Sequence, residues 1–247
     1  MSEAKILLLD IETKPMTAVV WGLFDQNISP NHILDSAGVL CYSYKWLGKK
    51  EVFFDSVHKS KTKEMLKGIH NAINEADAII TYNGRRFDLP VLNREFLLNG
   101  FLPTSKHKDI DLLQTMRRKF KFSSNKLDYI CQSLGLGKKT EHTGMQLWLG
   151  CIAGDEKAWK LMEKYNKNDV IIMEQLYHKV LPWISNNLNH NLYTVDQVCP
   201  SCGGKHLQRR GTAVSTVGTY QRYQCKDCGS WSQGTKAVKP SVTIKGA

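Results

Sequence analysis

No stretch of this chain holds about 18 consecutive apolar residues, so no membrane-spanning helix is expected. The opening, MSEAKILLLDIE, lacks the long apolar segment and small-residue cleavage site of a secretory signal, which points to an intracellular protein. No internal repeat is visible, which excludes a solenoid or propeller. Acids are scarce at one end: residues 199–247 hold 8 Lys and Arg against 1 acid, whereas residues 1–198 hold 26 against 22. A basic module beside a nearly balanced one suits a polyanionic partner, nucleic acid first, with a solubilising tail as the plainer alternative. What is present is ordinary globular material: 247 residues, 42% hydrophobic and 23% charged, enough for one substantial core and a small appendage.

Cysteine is unevenly used. Cys41, Cys131 and Cys151 are scattered and read as reduced, buried or idle thiols. Cys199, Cys202, Cys225 and Cys228 form two Cys-X₂-Cys pairs separated by 22 residues, the spacing of a tetrahedral four-thiolate zinc site. Gly203 and Gly229 follow the pairs and allow tight turns beneath a metal. The spacer alternates Thr, Val and Tyr as a small β-ribbon would, and four thiolates leave no open coordination position, so this zinc is expected to be structural. Arg209, Arg210 and Arg222, with Tyr220, Tyr223 and Trp231, give the ribbon a basic, aromatic surface suited to nucleic acid. Contacts with replication or repair proteins are the alternative use for such a ribbon, and His206 is a bystander or phosphate contact.

Periodicity predicts strands over 5–10, 39–57 (two, turning near Gly48) and 78–84. Helices are predicted over 60–76, 89–99, 110–120, 125–134 and about 155–184, with an irregular stretch between 11 and 38. Alternating strands and helices predict an α/β fold with a mixed β-sheet flanked by helices, followed by the small β zinc ribbon. The expected boundaries are 1–184 for the α/β domain, 185–198 for an asparagine-rich linker, 199–233 for the ribbon and 234–247 for a flexible tail.

Within LLLDIETKP, Asp10 and Glu12 lie two apart on a strand and point the same way, so they repel each other unless a cation or proton stands between them. YNGRRFDLPVL places Asp88 where a strand–loop segment meets a helix; singly, Asp88 reads as that helix's N-cap. In YNKNDV, Tyr165 and Asp169 lie four apart on a helix and share a face; singly, one is a core aromatic and the other a solvated acid.

Together and in order, Asp-X-Glu, Asn-X-X-X-Phe-Asp and Tyr-X-X-X-Asp resemble the three exonuclease motifs of the DnaQ-like superfamily, in its tyrosine subclass DEDDy, and the proofreading domains of family B DNA polymerases. KDIDLLQT and KLDYICQSLGLGKKTEHTG also resemble the segments that join these motifs, so the likeness spans about residues 5–184. The resemblance implies an RNase H-like fold and 3′→5′ hydrolysis of DNA, single-stranded by preference, releasing nucleoside 5′-monophosphates with two Mg²⁺ or Mn²⁺ ions. It assigns Asp10 to both ions, Glu12 and Asp169 to the water-activating ion, Asp88 to the second, and Tyr165 to the attacking water or scissile phosphate. Thr13 would contact the terminal nucleotide, and Asn83 would position either the loop or that nucleotide. Trp21 and Phe24 would stack on bases or else pack in the core, Arg85 and Arg86 would meet phosphates, and Arg117 and Arg118 would track the backbone or else form a solvated helix end. Two rivals stand beside this reading: a non-catalytic zinc-ribbon DNA-binding protein, and a transposase- or resolvase-like endonuclease on an RNase H-like scaffold.

Overall fold

The computed structural model describes residues 3–239. They divide into a larger unit, Lys5–Leu176, and a smaller one formed by the chain from Tyr177 onward with the residues before Lys5. In chain order the larger unit contains β1 (Ile6–Thr13), β2 (Thr17–Ala18), β3 (Ile33–Asp35), β4 (Val39–Trp46), β5 (Phe53–Ser56), α1 (Thr62–Glu75), β6 (Ala78–Thr81), α2 (Asp88–Leu98), β7 (Lys108–Asp111), α3 (Leu112–Lys119), α4 (Leu127–Ser133), α5 (Met145–Ile152) and most of α6 (Glu156–Val180). Its main sheet is mixed, in the order β5-β4-β1-β6-β7: β1 pairs antiparallel with β4 and parallel with β6. Among the described residues no helix is long and apolar enough to cross a membrane.

The alternation of β1 sets the layering. Leu7, Leu9 and Ile11 enter one core with Met65, Leu66, Ile69 and Ile73 of α1 and Leu92 and Phe96 of α2. Asp10 and Glu12, one residue out of phase, project from the opposite face. There Cys41 packs with Leu147 and Cys151 of α5 and with Trp159, Met162 and Tyr165 of α6. All three scattered cysteines are buried and free. Buried positions 162, 165, 166, 169, 170, 173 and 176 run along one stripe of α6, so the helix lies on the sheet with that stripe inward.

Several boundaries differ from those expected. The stretch 11–38 is not wholly irregular: β1 continues to Thr13, and β2 and β3 pair as a short antiparallel ribbon. β6 stops at Thr81 rather than 84, because Asn83 adopts a left-handed φ of 74° that breaks the strand. The helix expected from 110 begins only after β7, capped by Asp111, whose carboxylate accepts from the Leu113 N–H. Helix α5 had no counterpart in the periodicity, being only 8 residues long. α6 ends at Val180, and Pro182 then forces a 3₁₀ turn over Leu181–Trp183.

The smaller unit carries β8 (Leu207–Val214), β9 (Thr219–Cys225) and β10 (Trp231–Ala237) as an antiparallel sheet in the order β10-β9-β8. Strand β10 runs past the ribbon end expected at 233, so Gly234–Ala237 are sheet, not tail; residues 240–247 of that expected tail lie outside the described residues. The stretch expected as a linker is tied down by its amides. Asn187 donates to the Ser201 carbonyl at 2.9 Å, and Asn191 exchanges hydrogen bonds with both backbone groups of Val198 at 2.9 and 3.0 Å.

Candidate active site

Three elements bring the acids together. β1 supplies Asp10 and Glu12, α6 supplies Asp169, and a carboxylate oxygen from each lies within 4.8 Å of the others. Asp88, the first residue of α2, approaches from the loop after β6. It is not the N-cap, which is Phe87; instead its Oδ1 accepts the buried Ile11 N–H at 3.1 Å, between the two β1 acids. Asp169 is not solvated but buried. Asn166, one turn before it, donates to Asp10 Oδ2 at 2.6 Å and so fixes that carboxylate. Tyr165 is packed among the rings of His142 and Trp148, at centroid distances of 4.9 and 6.0 Å.

The electrostatics are unfavourable for so many ionised acids. Burial lifts Glu12 to about 8, with Lys139 pulling down and Asp169 and Asp88 adding to the rise. Burial lifts Asp88 to about 7, although the Ile11 N–H favours its charged form. Asp10 is raised by burial and then by Asp88, Glu12 and Asp169; Asp169 is raised by burial against the pull of Lys139. The Tyr165 phenol is pushed above its ordinary range by burial and by Asp169, so it stays protonated. The one cation among these groups is Lys139, from the segment after α4. Its ammonium pairs with Asp169 and donates to the Tyr165 hydroxyl at 3.2 Å. Burial opposes that charge, yet Asp169 and Tyr165 hold its pKa above the ordinary lysine value.

This donor set fits divalent cations. Its ligands are hard carboxylate oxygens gathered within 4.8 Å, and Asp169 Oδ1 is buried without a hydrogen-bond partner. An ammonium already occupies one side of the cluster, showing that a cation is accommodated there.

The expected strand-handling residues fall into separate groups. Thr13 ends β1, next to Glu12. Trp21 and Phe24 are 94% and 82% exposed, so the core-packing alternative for them is set aside. Asn83, Arg85, Arg86, Arg117 and Arg118 line one cavity. Arg209 and Arg210 are exposed on β8; Arg222, on β9, stacks its guanidinium 4.8 Å from the Trp231 ring centroid and donates to the Arg210 carbonyl at 3.0 Å. Two site residues, Lys139 and Asn166, escaped the motif reading. Asn166 was legible as the neighbour of Tyr165 on the inward stripe of α6; Lys139 lies in a loop, GKKT, where nothing local distinguishes it from Lys138, which pairs with Glu141 at the surface.

In the smaller unit the four cysteines converge. Cys199 and Cys228 Sγ are 3.7 Å apart and Cys202 and Cys225 Sγ 3.8 Å, far beyond a disulfide bond. A tetrahedron with metal–sulfur bonds of about 2.3 Å has edges of about 3.8 Å, so the spacing fits a four-thiolate metal site. Gly203 and Gly229, at φ of 73° and 80°, return their N–H groups to the carbonyls of Cys199 and Cys225 at 2.9 and 3.0 Å. His206 points to Asp227, at 2.6 Å, and not to the sulfurs.

A family model for the RNase H superfamily matches residues 35–181. No curated protein matches the sequence. Among solved structures, the family B DNA polymerase of the hyperthermophilic archaeon Pyrobaculum calidifontis is similar, with a TM-score of 0.54 and 16% identity over 87% of this chain. At that identity the likeness is one of fold, and the chain spans 32% of the polymerase's length.

Proposed function

The chain belongs to the RNase H superfamily of nucleic-acid-hydrolysing enzymes, and on that premise we propose that it is a metal-dependent 3′→5′ exonuclease acting on DNA, single strands by preference. The observation that carries this reading is the convergence of Asp10, Glu12 and Asp169 within 4.8 Å, beside the Tyr165 hydroxyl. Asp10, Glu12 and Asp169 would hold one cation, and Asp10 with Asp88 a second, Mg²⁺ or Mn²⁺ suiting the oxygen donors. Bound there, such a pair supplies the charge that activates water and stabilises the leaving 3′ oxygen.

The chain's own groups do the rest. Asn166 fixes the Asp10 carboxylate, and the Ile11 N–H holds Asp88. Tyr165, kept protonated, donates a hydrogen bond to the attacking water or the scissile phosphate. Lys139, at the Tyr165 hydroxyl, orients that phenol and adds positive charge facing the phosphate. Thr13 positions the terminal nucleotide and Asn83 the loop that carries Asp88, with Trp21 and Phe24 offering exposed rings to bases. Released product would be a nucleoside 5′-monophosphate. In the smaller unit the four cysteines would hold one structural Zn²⁺, and Arg209, Arg210 and Arg222 make the ribbon a nucleic-acid-holding surface, with protein contacts as its other use.

The test is a 5′-labelled single strand incubated with Mg²⁺ or Mn²⁺. Stepwise shortening is expected, while a circular single strand stays intact. Cleavage of the circle would identify an endonuclease and reject the proposal.

A further inference from the structure

The loop that delivers Asp88 builds a second feature on its way. Between β6 and α2 the chain turns through Asn83, and a Cβ added at Gly84 would come within 2.4 Å of the Thr81 side chain. The turn closes with N–H groups of Arg86 and Phe87 donating to the Asn83 carbonyl at 3.0 and 3.1 Å. Arg85 and Arg86 are thereby held on one wall of a cavity of about 460 Å³. The other wall is α3, where Gln114, Arg117 and Arg118 share a face at spacings of three and four.

The lining holds four arginines against one acid, Asp111, and that acid is already committed. Its Oδ1 accepts from the Asn83 N–H at 2.9 Å and the Leu113 N–H at 3.0 Å, and its Oδ2 lies 3.5 Å from Gln114 Nε2, so it ties the two walls together. Among the described residues none of the four guanidinium groups has a hydrogen bond or ion pair with the protein. Arg94, by contrast, donates to Glu95 and to the Ala37 carbonyl. Converging guanidinium groups with free donors match phosphate oxygens.

We propose that this cavity clamps internal phosphodiesters of the substrate strand, upstream of the linkage being cut; the assignment rests on the exonuclease reading above. Two observations favour a strand over a free anion. The loop has Asp88 among the catalytic acids at its far end and the arginines at its middle, so one rigid turn serves both places. The cavity also lies at the carboxyl ends of β6 and β7, and β1 delivers its acids at the same end of the parallel set. With neighbouring strands about 4.8 Å apart, β7 is about 10 Å from β1, farther than a terminal linkage reaches but within a few nucleotides of it. The clamp therefore makes strand length a substrate requirement.

The experiment compares the wild type with the full-length variant carrying Arg85→Gln, Arg86→Gln, Arg117→Gln and Arg118→Gln; all four side chains are exposed, and an unchanged melting temperature checks folding. Binding of a labelled 12-nucleotide strand is measured in EDTA across salt concentrations, and then with single neutral methylphosphonate linkages moved along the strand. Expected are at least tenfold weaker binding by the variant, a salt slope lower by about 0.7 for each arginine engaged, and one or two internal linkages whose neutralisation costs the wild type but not the variant. Unchanged affinity and slope would overturn the clamp. So would a nucleoside 5′-monophosphate that displaces the strand from the wild type and not from the variant, since the cavity would then hold free product. Because this arm needs no catalysis, it stands apart from the exonuclease assignment. With Mg²⁺ present, the oligonucleotide-to-nitrophenyl-nucleotide preference in kcat/KM is expected to fall tenfold or more, and a retained preference also counts against the clamp.

Discussion

The acidic cluster and the cysteine cluster pose the same physical problem, like charges gathered at one point, and answer it with opposite materials. The acids stand on a sheet and helix already buried by two apolar cores, with Lys139 and Asn166 as internal partners. The cysteines stand on two tight turns beside a sheet whose strands bury almost nothing except Cys225. In the larger unit the fold creates the site; the three-stranded ribbon of the smaller unit removes so little apolar surface from water that a metal held by its cysteines is expected to decide whether it folds. On the proposed reading the carboxylate cage is free to take part in chemistry, whereas four thiolates saturating one metal would serve architecture.

The largest effect that would sharpen this contrast is Asp10→Ala or Asp169→Ala. Each should lower strand cleavage by at least two to three orders of magnitude, the scale of removing one group that meets developing charge, while circular dichroism shows the α/β unit still folded. Next comes metal stripping: a strong zinc chelator, or Cys202→Ser, should abolish amide-exchange protection across 199–237 and leave that of 5–176 intact. Loss of protection in both units would break the comparison.

A third test uses pH. Glu12 near 8 and Asp88 near 7 stand above their ordinary values, so the folded α/β unit binds more protons than the unfolded chain between about pH 4 and 8. In EDTA its melting temperature should be highest near pH 4–5 and fall by several degrees as pH rises through 7 and 8; Mg²⁺ or Mn²⁺ should flatten that slope. A stability that rises over this range would contradict the raised values. The smallest expected effect lies on the ribbon surface. Arg209→Gln combined with Arg210→Gln should weaken strand binding about three- to tenfold with no change in zinc content.

Much of this was legible in the chain. β1, the hairpin turning at Gly48, α1 and α2 follow from apolar spacing and from Pro90 and Gly100, and the two Cys-X₂-Cys pairs announce the ribbon. The three short acidic motifs were also readable as a set, and the fold brings their acids together. What escaped depends on contacts distant in sequence. Asp88 reads locally as a cap, and only the Ile11 N–H, 77 residues away, reassigns it. Lys139 meets Asp169 across 30 residues. β7 hides at the front of a helix because Asp111 both ends the strand and caps α3. Asparagines at 187 and 191 look like linker polarity until their amide bonds are seen.

Gly84 has a consequence for how this chain tolerates change. It touches no acid of the cage and carries no side chain, yet any Cβ there would collide with Thr81 at 2.4 Å. Relief of that collision would shift the bend from which both Asp88 and the paired arginines hang. In a library of random variants sorted for activity, Gly84 should therefore rank among the least permissive positions of the loop, while its exposed neighbours Arg85 and Arg86 accept replacement at a graded cost. Intolerance at such a silent position would measure the stiffness of the bracket rather than any encounter with substrate.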